Sequence, residues 1–166
     1  MATVTLKGNA VKTVGDLPKV GDKAPDFRLI TTDLGELTLK DFAGKMLVLN
    51  IFPSVDTATC ATSVRQFNVR ATQKPDAVVL CVSKDLPFAF KRFCAAEGID
   101  KIKTGSDFRD PDFGRRYGLT MADGPIAGLL ARAVVVIGKD GTVRYVELVG
   151  EIASEPDYTK ALAAIG

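Results

Sequence analysis

From residue 46 onward the chain alternates short apolar runs with stretches whose apolar residues recur at helical spacing, and few folds accept that order. Met46–Phe52 is apolar except for Asn50 and reads as a buried strand. Val64, Phe67 and Ala71 then repeat at helical spacing from Cys60, which predicts a helix entered near Cys60 and running to about Thr72. Ala77–Val82 is a second buried strand. Asp85 offers an N-cap with Pro87 in the first turn, and the helix over 88–97 stops at Gly98. Ile102–Thr104 is a short strand, and Asp110–Gly118 a short helix closing at a glycine. Ala133–Ile137 and Val143–Leu148 form a hairpin around Lys139-Asp-Gly141, and Asp157–Ile165 is a closing helix. Parallel βαβ units come first and an antiparallel hairpin comes last.

Upstream, Val4–Leu6 and Ala10–Val14 flank Lys7-Gly8-Asn9 as a hairpin. Residues 17–25 are a loop, Phe27–Ile30 and Glu36–Leu39 are strands joined around Asp33–Gly35, and Asp41–Gly44 is a short turn. The expected fold is α/β: a central mixed sheet flanked by helices, with an N-terminal β-hairpin at 1–14, in a single domain spanning 1–166. At 166 residues the chain is long enough to bury a proper core. A net charge of +2 argues against a nucleic-acid or membrane-surface protein. The start carries no basic stretch followed by an apolar one, and no apolar run approaches a membrane span. The expectation is a soluble protein of the cytoplasm.

Cys60 is the residue with the most to explain. It sits in the first turn of a helix entered directly from a core strand, where partial positive charge and free N–H groups favour a thiolate. Pro53 and Thr57 precede it in the segment Pro53-Ser-Val-Asp-Thr57-Ala-Thr-Cys60, placing a rigid wall and a hydroxyl nearby. The chain has three cysteines, at 60, 81 and 94, and no histidine. That inventory disfavours a zinc site and excludes a Cys–His dyad within the chain. A disulfide in a reducing compartment would be transient and catalytic.

Pro53-x-x-x-Thr57-x-x-Cys60 resembles the active-site signature of the peroxiredoxins. The longer stretch Asn50–Phe67 is similar to the thiol peroxidase subfamily of atypical two-cysteine peroxiredoxins. So are Asp85-Leu-Pro-Phe-Ala, Arg92-Phe-Cys94-Ala-Ala-Glu-Gly98, Ala122–Pro125 and Leu130-Ala-Arg132-Ala-Val134. The likeness runs from the N-terminal hairpin to Glu155–Tyr158, with Phe90 a departure where a polar residue such as glutamine is expected. It implies a thioredoxin-like fold and a peroxidase that reduces hydrogen peroxide and organic hydroperoxides. It implies Cys60 as the peroxidatic nucleophile, Thr57 as a hydrogen-bond donor or relay, and Arg132 as the cation favouring the thiolate and the leaving oxygen. Pro53 would shield the intermediate, and Cys94 would resolve it as an intramolecular disulfide. It also implies thioredoxin as reductant, a homodimer with the active site near the interface, and no metal, flavin or haem. Both thiols are expected on helices, and a disulfide needs Cα atoms within about 7 Å, so closure should require local unwinding.

Read without the resemblance, the same residues are blander. Cys94 on an amphipathic helix and Cys81 within Val-Val-Leu-Cys-Val are small core residues. Arg132 would be the exposed end of a strand. Phe88, Phe90 and Phe93 would be core, and Lys91, Arg92, Arg115 and Arg116 solvated. Two other functions stay open. A redox sensor could use the Cys60–Cys94 switch to change partner binding. A thiol–disulfide oxidoreductase is disfavoured by the lack of Cys-x-x-Cys.

Overall fold

The computed structural model describes residues 1–110 and 112–166; Pro111, inside the helix expected at 110–118, lies outside them. The chain order is β1 (Thr3–Leu6), β2 (Asn9–Lys12), β3 (Arg28–Ile30), β4 (Glu36–Thr38), β5 (Met46–Ile51), α1 (Ala58–Ala71) and β6 (Ala77–Ser83). Then follow α2 (Pro87–Glu97), β7 (Lys103–Ser106), α3 (Asp112–Arg116), β8 (Ala133–Ile137), β9 (Val143–Leu148) and α4 (Tyr158–Ala163). A 3-10 turn at Leu39–Phe42 leads into β5. β1 and β2 form a separate hairpin, and the other strands form one sheet in the order β4-β3-β7-β6-β5-β8-β9.

β5 is the axis of the sheet. It runs parallel to β6 on one side and antiparallel to β8 on the other, and all its residues are buried. Its side chains alternate between two cores, as the pleat requires. Leu47, Leu49 and Ile51 face Phe27, Phe113, Tyr117 and the hairpin residues Val4 and Val11. Met46, Val48 and Phe52 face Val64 and Phe67 of α1, Phe90 and Phe93 of α2, and Tyr158 and Ala161 of α4. Cys60 and Cys81 belong to this second core, and Cys94 packs against it. The sheet is mixed and helices flank it, as the sequence order implies.

Gly98 ends α2 in the left-handed region at φ 64°, and Ile99 N donates to Cys94 O at 2.9 Å. Gly118 closes the turn after α3 at φ 69°, where a Cβ would lie 2.3 Å from Asp16 O, so glycine is required there.

Three local expectations need correction. Asp85 does not cap α2: the N-cap is Leu86, with no side-chain cap bond. Arg132, an exposed strand end only when the resemblance is set aside, is 1% exposed, one residue before β8. Phe88 is 65% exposed, while Phe90 and Phe93 are buried, because 90 and 93 share the inward face of α2 and 88 does not. Phe90 packs edge-on against Phe52 with ring centres 6.3 Å apart, an apolar contact that a glutamine could not make.

Candidate active site

β5 ends at Ile51, Pro53 lies buried in the bend that follows, and Thr57 is the N-cap of α1. Cys60 is therefore the third residue of the helix, at the C-terminal end of the central strand. The first turn of α1 holds no acidic residue, so nothing there offsets the positive end of the helix. The register that pairs Ile51 with Ala133 brings Arg132 to the same end of the sheet.

There the guanidinium meets the thiol. Arg132 Nη2 donates to Cys60 Sγ at 3.1 Å, and Nε donates to Ile152 O at 2.9 Å. Nη1 is buried with no hydrogen-bond partner among the described residues. A guanidinium keeps its charge when buried, so an anionic or strongly polar partner must compensate it. Cys60 is 0% exposed, so the pair is dry. Thr57 Oγ1 donates to Ser54 O at 3.1 Å and is turned onto the loop; the hydrogen bond to the sulfur comes from Arg132.

The bend is held from α2's side by a residue that the sequence reading assigned elsewhere. Asp85 accepts from Ser54 Oγ at 2.8 Å and from Val55 N at 2.9 Å, and also from Ser83 Oγ. No local pattern marks this, because Ser54 and Asp85 are 31 residues apart and meet only once β5 and β6 are paired. Asn50 is a second unforeseen member. Its Nδ2 donates to Ser63 Oγ at 3.2 Å, and Ser63 Oγ donates to Cys60 O at 2.8 Å, fixing the first turn from below.

Cys94 is half-buried on α2, and burial pushes its thiol up. It lines a cleft of about 320 Å³ together with Asp33, Lys91, Ile99 and Ile102. No disulfide is present, and all three cysteines are free. Two ion pairs tie the Cys60 region to α2: Arg65 grips Glu97 with Nε at 3.0 Å and Nη2 at 2.8 Å, and Arg92 meets Asp56 at 3.1 Å. Cys81 lies wholly buried on β6 and accepts from Asn50 Nδ2 at 3.6 Å. Burial pushes its thiol up to about 12, with the Asn50 hydrogen bond opposing. Among the described residues no cluster of three or more cysteine, aspartate or glutamate side chains is placed to hold a metal ion. A cleft of about 360 Å³ walled by Leu39, Phe42, Leu47 and Ile137 lies at the other end of β5, away from Cys60.

A thioredoxin-like sheet with a dry, arginine-bound cysteine at a helix N-terminus is the layout of a thiol-based redox enzyme. The model of the Redoxin family matches residues 19–162. The thiol peroxidase of Mycobacterium tuberculosis is 62% identical over 166 residues, covering 100% of this chain and 99% of the relative. The thiol peroxidase of Corynebacterium glutamicum is 53% identical over 165 residues, 99% of each chain. A solved peroxiredoxin-like protein from Aquifex aeolicus superposes with a TM-score of 0.94 at 41% identity, covering 99% of this chain and 96% of that one. The chain belongs to the Redoxin family, and within it to the thiol peroxidases, a group of peroxiredoxin enzymes.

Proposed function

We propose that the protein is a cytoplasmic peroxidase that reduces hydrogen peroxide and organic hydroperoxides through Cys60. The observation that carries this reading is the Arg132 guanidinium, with one nitrogen on Cys60 Sγ and Nη1 buried beside it without a partner among the described residues. The Cys60 thiolate attacks one peroxide oxygen, and the O–O bond breaks. The other oxygen leaves as water or an alcohol once protonated, and Cys60 becomes a sulfenic acid. Negative charge moves from sulfur to the leaving oxygen during this step. A donor pair on one rigid plane serves both ends of that movement. Pro53 and the bend beside Cys60 keep water from the reacting sulfur, and the Thr57 hydroxyl turns from Ser54 O to meet the incoming peroxide.

Cys94 then attacks the sulfenic sulfur, water leaves, and a Cys60–Cys94 disulfide forms within one chain. In the closed form Cys94 is held as a thiol by burial. Loosening α2 would both expose it for ionisation and bring the sulfurs together. A dithiol protein of the thioredoxin type returns the pair to the reduced state, and the working unit is a homodimer. The test is a coupled peroxidase assay with thioredoxin and its reductase. Cys60→Ser should lose turnover entirely. Cys94→Ser should consume about one equivalent of peroxide per site and stall, because the nucleophile is intact. Peptide mapping of the oxidised wild type should yield an intrachain Cys60–Cys94 crosslink. Turnover in Cys60→Ser, or a Cys60–Cys81 pair in the oxidised protein, defeats the mechanism.

A further inference from the structure

We propose that Glu151 is a positioning residue for Arg132, and that the N-terminal β1–β2 hairpin acts through it as a brace for the active-site guanidinium. This rests on the reading that Arg132 serves the reaction at Cys60. The hairpin turn places a lysine where one seldom sits. Lys7 and Gly8 both have positive φ, at 50° and 83°, the pattern of a tight two-residue turn. A lysine in that region is disfavoured and needs compensation.

Glu151 supplies it. Its Oε1 accepts from Gly8 N at 2.9 Å and from Thr5 Oγ1 at 3.1 Å, and its Oε2 accepts from Ala153 N at 2.9 Å. These donors, Ala153 N and Gly8 N foremost, hold the carboxyl down to about 2, so it is ionised wherever the protein works. Backbone bonds reinforce the junction: Thr5 N donates to Gly150 O at 2.7 Å, and Ile152 N to Thr5 O at 2.8 Å.

The link to the active site is one peptide group. Ala153 N–H, held by Glu151, and Ile152 C=O, which accepts from Arg132 Nε, are the two ends of the same amide. That amide is planar and trans, so fixing the direction of its N–H fixes the direction of its C=O. A carboxylate on the N–H also polarises the amide and strengthens its carbonyl as an acceptor. The guanidinium is planar in turn, so the direction of Nε sets where Nη2 and Nη1 point. The next carbonyl, Ala153 O, accepts from Thr59 Oγ1 at 2.9 Å, beside Cys60 in the first turn of α1. That carbonyl belongs to the next peptide group, which Glu151 does not hold, so the brace acts on Arg132 rather than on Cys60.

A brace predicts coupling with Arg132 that a merely structural tie would not produce. The readout is the second-order rate of peroxide consumption by pre-reduced protein in a single turnover. Arg132→Met should slow it about 100-fold, the scale of losing one preorganised donor. Glu151→Ala should slow it about tenfold through misalignment. Glu151→Gln, which keeps one acceptor oxygen and carries the test if the alanine variant does not fold, should slow it by a few-fold. In the Arg132→Met background, either Glu151 substitution should add less than about twofold, because the group being positioned is gone. Equal slowing by Glu151 substitution in both backgrounds overturns the brace and reduces it to general stability. A slow Arg132→Met beside unchanged Glu151 variants overturns the brace alone, and a wild-type rate in Arg132→Met overturns the role of Arg132 and the brace with it.

Discussion

Cys60 and Cys81 are buried to the same degree and are set apart by what donates to each sulfur. Cys60 receives a guanidinium N–H, and Cys81 receives a neutral amide. A cation stabilises an ionised sulfur far more than an amide dipole does. With its thiol pushed up to about 12, Cys81 stays protonated at neutral pH. Native protein at pH 8 should therefore resist alkylation at Cys81 until it is unfolded, and Cys81→Ser should keep peroxidase turnover within about twofold of wild type. Rapid labelling of Cys81 in the folded protein would contradict this. At the scale of residues, a local motif or its neighbours single out Cys60, Pro53, Thr57 and Arg132, and of these the fold joins Cys60 and Arg132 directly. The burial of Arg132 was not legible, since an arginine before an apolar strand reads as a solvated end until β8 is known to lie against β5. What Asp85, Asn50 and Glu151 hold was not legible: Asp85 read as a cap and Asn50 as a polar break in a buried strand, because their partners, like the hairpin donors to Glu151, are distant in sequence.

Among the elements, α1 with its bend and α2 form one hydrogen-bonded unit. Asp85 holds the bend to the start of α2, and Arg92–Asp56 and Arg65–Glu97 hold the helices further along. The two ion pairs are exposed and contribute modestly. Asp85 is the stronger tie, because its removal leaves Val55 N and two serine hydroxyls without an acceptor. Asp85→Ala should cost about 1–3 kcal/mol in urea unfolding, the scale of stranding buried donors. It should also slow the peroxide step while leaving disulfide formation as fast as in wild type or faster, since opening is easier. Stopped-flow measurement of the two steps decides this, and slowing of both alike would count against it. Most elements were legible from periodicity: the buried runs of β5, β6 and β8 and the helical repeat of α1 need no tertiary information. The start of α2 was misread because Asp-Leu-Pro fits a cap locally, while donors on the bend 31 residues upstream compete for the same carboxylate and win.

At the scale of the molecule, the sheet separates two cores, and a partly buried ion pair lies at the end near β7. Asp107 has a fully buried side chain, with Lys84 Nζ at 3.1 Å. Burial, opposed by Lys84, raises its carboxyl from 3.8 to about 6. The folded state then binds more protons than the unfolded state across that interval. Asp107's contribution to stability is present below 3.8 and is lost as pH rises to about 6. The melting temperature of wild type minus that of Asp107→Asn should fall by a few degrees across this window and then level off. A difference that stays flat, or rises, would contradict the assignment.

Cys60 and Arg132 lie 72 residues apart and meet only when β8 has paired with β5. At synthesis rates of about 5–20 residues per second, the arginine is made roughly 4–14 seconds after the cysteine. Throughout that interval the growing chain carries the sulfur without its cation and without the strand that seals the sheet. A nascent polypeptide thus carries Cys60 before its guanidinium partner exists, and the buried Cys60–Arg132 pair comes into being only with the folded chain.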